Sequence, residues 1–189
     1  MTATIDRTQA NNCPAYKPIP NTLISKFIDY QYEISFTTVS NLISSKDFTA
    51  ESMCSVLNCK ARPMTNITLP ELLLFIERVA ERSRIDAITG IVALMYIYRL
   101  KVKLPPRAKG EYGTSHRIFL ASLLVASKFL YGKEGLNNRT MAEISGVFTT
   151  QEVSRMEKEL LELLNYNVWV NDRDIKEFLE KYKAELCFI

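Results

Sequence analysis

Apolar positions recur at helical spacing along most of this chain, and no segment shows the alternation of period two that a half-buried strand needs. The central run is HRIFLASLLVASKFLYG, His116 to Gly132. From Ile118 to Tyr131 its one charge is Lys128, and it holds the small residues Ala121, Ser122, Ala126 and Ser127. A helix apolar nearly all round belongs in the middle of a bundle, with neighbours on several sides. Thr114 or Ser115 should cap it, and Gly132 and Gly135 should end it.

The segments before it read as follows. Asn21 caps a helix with Leu23, Phe27, Tyr30 and Ile34 on one face, and Val39, Leu42 and Ile43 suggest another turn or two. A short helix from Thr49 runs through Met53, Val56 and Leu57, and Pro63 stops it. Pro70 fits the first turn of a helix that turns Leu72, Ile76, Val79 and Ala80 inward. Asp86 starts the next, with Ile88, Ile91, Val92, Met95 and Tyr98 inward, and Lys101, Lys103 and Pro105-Pro106 close it.

After the central run, Asn138 or Thr140 begins a short helix through Met141 and Ile144, stopped at Gly146. Thr149-x-x-Glu152 is a capping box ahead of a helix that places Val153, Met156, Leu160, Leu163 and Leu164 inward. Asn171 or Asp172 caps a last helix carrying Ile175, Phe178, Leu179, Tyr182 and Leu186 at 3.6-residue spacing. The predicted fold is all-α. Residues 1–20, with Pro14, Pro18 and Pro20, read as a disordered tail, 21–67 as an N-terminal helical extension, 68–170 as a five-helix bundle and 171–189 as a C-terminal helix.

Composition narrows the function more than the fold. With 24 basic and 21 acidic side chains the net charge is +3, too even a balance for a polyanion-binding protein. Cys13, Cys54, Cys59 and Cys187 form no CxxC pair and His116 is the single histidine, which argues against a zinc site. The first residues hold no apolar core like that of a secretory signal, and the densest apolar run, Ile91 to Tyr98, is far short of the roughly 20 residues that span a bilayer. The expectation is a soluble protein of the cytoplasm or nucleus, with reduced thiols, no cofactor and no membrane partner.

Catalysis fails on inventory. The chain has no GxxxxGK[ST] loop, no GxGxxG after a strand and no HExxH. His116 stands at a helix start with no nucleophile placed by motif, so it reads as a residue that packs or hydrogen-bonds a loop. Lys101, Lys103, Arg107 and Lys109 read as a solvated helix end, where cations suit the dipole and the open carbonyls. That cluster is a weak case for nucleic acid. Lys128 is different, because it closes the uncharged run Ile118 to Ser127 and must reach an edge, a carboxylate or another protein. Glu157 follows the inward Met156 and so flanks an apolar stripe. Periodicity alone leaves two readings open: unrelated solvated charges, or a pair at one edge offering charge-assisted hydrogen bonds to a partner.

Three segments together resemble the cyclin box over about residues 68–170: ITLPELLLFIERVAERSRI, SHRIFLASLLVASKFLYG and VSRMEKELLELLNYNVWV. They resemble the first, third and fifth helices of that box, and the combination is most similar to the fungal PCL/PHO-type cyclins, related to P-type cyclins. The resemblance implies a regulatory subunit, not an enzyme, that binds and activates a cyclin-dependent protein kinase and helps set its choice of phosphorylation substrates. The family's helix-three lysine and helix-five glutamate match Lys128 and Glu157, and a kinase-binding patch is expected of these two with Leu124, Phe129 and Leu161. The helix-one pattern departs from the family, since LPELLLFIERV stands where M-R-hydrophobic-hydrophobic-hydrophobic-W is common, which puts a substrate groove of that kind in doubt. A second box is not expected. The alternative is a cyclin-fold scaffold or transcription-factor-like adaptor, which would usually carry two repeats and a basic face.

Overall fold

A computed structural model describes residues 49–50, 52–54, 57–61, 69–105 and 107–182. The expected tail, the helix capped by Asn21 and Leu186 lie outside the described residues. Helix α1 is Leu72–Ser83, α2 is Ala87–Lys103, α3 is Thr114–Tyr131, α4 is Asn138–Ser145, α5 is Thr150–Leu163 and α6 is Asp172–Lys181. A 3-10 turn, Gly132–Glu134, links α3 to α4. Residues 49–50 and 52–54 are helical, but the chain is out of the helix by Leu57. There β1, Asn58–Cys59, pairs in parallel with β2, Lys109–Gly110, placing Asn58 opposite Lys109. This two-residue pairing only staples the segment before α1 to the loop before α3.

Helix α3 is the centre. It contacts α1, α2, α4 and α5, and is buried along most of its length from Ser115 to Ser127. The sequence predicted that, but it assigned α2 a single inward face, whereas α2 is buried all round from Thr89 to Ile97. The covering comes from several neighbours: α3 and α6 both pack on α2, and Ser52 Oγ lies 3.3 Å from the Tyr98 hydroxyl. Each fully buried large apolar side chain stabilises the fold by about 1.5–3 kcal/mol. These two helices therefore hold most of the stability. Ridges of Phe75 from α1, Met141 from α4, and Val153, Met156, Leu160 and Leu164 around α5 complete the core.

Several predicted boundaries move. Pro70 is not in the first turn of α1; Glu71 is the N-cap and Pro70 precedes it. Its carbonyl instead accepts hydrogen bonds from Tyr112 Oη at 2.7 Å and His116 Nε2 at 2.9 Å, which ties the entry of α1 to the start of α3. Neither Thr114 nor Ser115 caps α3. Gly113 does, with φ +93° and a β-carbon position only 2.8 Å from Leu69 Cδ2, so that site accepts glycine alone. Ser115 is buried, 3.1 Å from Cys59 Sγ. Leu163 is 48% exposed, because Leu164 takes the core position after Leu160. The capping box of α5 is complete, with Thr149 and Glu152 each bonded to the other's backbone N–H.

The turn after α5 is held from α2. Asn165 and Tyr166 both adopt positive φ, at 52° and 56°. Lys103 Nζ donates to the Leu164 carbonyl at 2.5 Å, Arg99 to the Asn167 carbonyl at 3.1 Å, and the buried Tyr96 hydroxyl to the Val168 carbonyl at 2.8 Å. Lys103 was expected to serve its own helix end; it serves that of α5. Helix α6 then returns over α2, where Phe178 meets the Tyr98 ring edge-on and Tyr182 lies tilted against it.

Candidate partner-binding site

Both ends of α3 reach the surface, at Arg117 in its first turn and from Lys128 to Tyr131 in its last, and Lys128 stands on the last turn. A cation there faces the negative end of the helix dipole. The chain then folds back sharply. A β-carbon on Gly135 would lie 2.6 Å from the Ser127 carbonyl oxygen, and Leu136 N–H donates to Ser127 Oγ at 2.8 Å. This tight return brings the first residue of α4, Asn138, beside Lys128. Asn137 performs the capping, accepting from Thr140 N–H at 2.9 Å. Helix α5 crosses α3 and α4 and contributes Glu157 from its middle.

The three side chains close a ring. Lys128 Nζ donates to Glu157 Oε1 at 2.6 Å and to Asn138 Oδ1 at 2.6 Å. Asn138 Nδ2 donates to Glu157 Oε2 at 2.7 Å and to Ser154 Oγ at 3.0 Å. The Lys128 and Glu157 side chains keep 32% and 18% of their exposure, so the pair sits at a rim. It avoids the full desolvation cost of a buried ion pair, yet it is shielded enough to keep a fixed geometry. One Lys128 proton and the outer lone pairs of Glu157 are not used by the ring.

Apolar groups flank it. Phe129 is half-buried and meets the Trp169 ring edge-on, with centroids 6.0 Å apart. Trp169 is 53% exposed, and Leu161, one turn after Glu157, is half-buried. Leu124 is a correction. It lies one turn before Lys128 but is 0% exposed, because the bundle encloses α3 from Phe119 to Ser127, and it has no surface to offer a partner. Asn138 and Trp169 were missed. Asn138 read as a helix starter, and the clue was the doublet Asn137-Asn138: one asparagine suffices for the cap.

His116 belongs elsewhere. It is buried against Phe75 and Tyr112, and its Nδ1 has no hydrogen-bond partner. Among the described residues no group of three or more His, Cys, Asp or Glu could hold a metal, and no helix is long and apolar enough to cross a membrane.

A family model for the cyclin N-terminal domain matches residues 38–169. The chain belongs to the cyclin family. The matched span takes in α1 to α5 and the ring of Lys128, Asn138 and Glu157, and it opens inside the segment read above as an extension. This cyclin is similar to PHO85 cyclin-1 of Saccharomyces cerevisiae, 36% identical over 123 residues, covering 63% of this chain and 44% of the relative. PHO85 cyclin-9 of the same yeast is 30% identical over 137 residues, covering 71% and 45%. Cyclin-P1-1 of Oryza sativa is 32% identical over 111 residues, covering 59% and 41%. The alignments thus span under half the length of these relatives. The all-α architecture is that of a cyclin box, most similar to the PHO-type.

Proposed function

We propose that this cyclin is a non-catalytic regulatory subunit that binds and activates a cyclin-dependent kinase and helps set its substrate choice. The observation that carries the reading is the Lys128–Glu157 pair, 2.6 Å apart at the last turn of α3 and flanked by Phe129, Leu161 and Trp169. A partly exposed ion pair with a spare N–H and spare lone pairs, set among apolar side chains, suits partner backbone that offers both a carbonyl and an N–H group. Several relatives carry PHO85 in their names, and a kinase of that class is the partner we infer. Activation would follow from tighter binding to the active kinase conformation than to the inactive one; equal affinity would shift nothing. The phosphoryl transfer would stay with the kinase. We expect the complex in the cytoplasm or nucleus.

The test is a titration of the full chain against purified PHO85 of Saccharomyces cerevisiae, with a phosphotransfer assay alongside. Lys128→Ala and Glu157→Ala should each weaken binding by about 2–5 kcal/mol while leaving the fold intact, since each strands a partner group at the interface. That is roughly a 30-fold to several-thousand-fold loss of affinity. Unchanged affinity in both would overturn the assignment of the site. Binding without a rise in kinase activity would support the adaptor alternative instead.

A further inference from the structure

Asn138 is the one residue of the ring that touches both charges. Its orientation has a single chemical solution. Lys128 can only donate and Glu157 can only accept, so the amide must present Oδ1 to the lysine and Nδ2 to the glutamate, as the 2.6 and 2.7 Å contacts show. The second Nδ2 proton goes to Ser154 Oγ at 3.0 Å, one turn before Glu157 on α5. Both amide protons are therefore committed, and the side chain cannot rotate without breaking bonds to α3 and α5 together. The cap of α4 is supplied by Asn137, so α4 does not need Asn138 for its own start.

We propose that Asn138 is the positioning residue of the kinase-binding site: it locks Lys128 and Glu157 and so decides which of their atoms face the partner. This rests on the function proposed above. Without the amide, Lys128 and Glu157 would be two long, partly exposed side chains joined by one contact, an arrangement that holds its geometry weakly in water. With it, two of the three Lys128 protons point inward to Asn138 and Glu157, and the third is the one left free. Glu157 keeps both oxygens engaged on the protein side, which leaves its outer lone pairs for a donor on the partner. The asparagine adds no charge, so the site still presents one positive and one negative group.

The experiment measures kinase affinity and thermal stability of the full chain for Asn138→Ala, for the double variant Lys128→Ala/Glu157→Ala and for the triple variant. Asn138→Ala should keep a helical fold and lose roughly ten- to hundredfold in affinity, the scale of lost hydrogen bonds to charged groups. In the triple variant the further loss should vanish, because a residue acting through the pair has nothing left to position. A separate swap, Asn138→Asp with Glu157→Gln, retains one acid and one amide on Lys128. Asn138→Asp alone should be the weakest single variant, as two carboxylates then face each other, and adding Glu157→Gln should recover part of the loss. Full additivity in the triple variant, or no recovery in the swap, would overturn the positioning role. Wild-type affinity in Asn138→Ala, with Lys128→Ala and Glu157→Ala impaired, would overturn it while sparing the proposed site. Wild-type affinity in all three would instead remove the site itself, and the positioning role with it.

Discussion

At the scale of single residues, burial decides chemistry. His116 was legible as a helix-entry histidine that serves a loop, and the structure gives it that work on the Pro70 carbonyl. Burial among Phe75 and Tyr112 holds its pKa below the ordinary 6.5, and the hydrogen bond to Pro70 only partly opposes this. With Nε2–H donating to Pro70, the neutral ring leaves Nδ1 bare, and a second proton there would have no acceptor. The sign follows. Above 6.5 neither state binds the proton and the stability is complete. As the pH falls from about 6.5 toward the lowered native value, the unfolded chain takes up a proton that the native chain refuses, and stability is lost. Denaturant unfolding between pH 7.5 and 5 should show this slope, and His116→Gln, which keeps a donor for Pro70 but does not titrate, should flatten it. An equal slope in the variant would show that another group is responsible. Asn138 was only faintly legible, in the doublet Asn137-Asn138, since a bond from α4 to α5 leaves little mark on local sequence; Leu124 lies in a run whose pattern already pointed to enclosure, and its choice for a partner surface went against that pattern.

At the scale of elements, the helices were predictable and their joints were not. The capping box at Thr149 and the αL ending at Gly146 are local devices, with all their partners within a few residues, so the chain announces them. The start of α1 is set by what Pro70 does for α3, and the start of α3 by the space that Leu69 leaves at Gly113; those partners are distant in sequence or hidden in a backbone angle. The joint that matters for the site is Gly135. Its backbone angles are ordinary, φ −72° and ψ 179°, so its glycine is required for space against the Ser127 carbonyl, not for conformation. Gly135→Ala should cost about 1–3 kcal/mol, the usual range for overpacking. It should also draw Asn138 away from Lys128 and weaken kinase binding. Lys133→Ala, exposed in the same turn, should change stability by no more than about 0.5 kcal/mol. Equal, small effects of the two in denaturant titrations would count against the tight return.

At the scale of the molecule, the architecture is a buried pair of helices, α2 and α3, with the others laid round it. Opening α2 or α3 requires dismantling the core, whereas α6 rests on α2 through Ile175, Phe178 and the Tyr98 ring and can lift separately. Native-state hydrogen exchange should therefore find the slowest amides in the middle of α2 and α3, exchanging by global unfolding, and faster ones in α6. Amides of α6 as slow as those of α3 would mean that the last helix unfolds with the core. Kinase added to the cyclin should slow exchange at the end of α3 and in the middle of α5, where the proposed site lies.

The amino-acid sequence by itself determined the helical class, the centrality of α3 and the capping box of α5, and it singled out Lys128 and Glu157 while leaving open whether they pair. Each is written in spacing or in neighbours a few residues apart, where periodicity and hydrogen-bonding chemistry act locally. Only the tertiary structure decided that α2 is enclosed as fully as α3, that Lys103 serves a carbonyl of another helix, and that Asn138 joins the two charges. Those outcomes depend on which helices meet across the core, and a contact between residues 29 positions apart, as between Lys128 and Glu157, is set by packing and not by either segment alone.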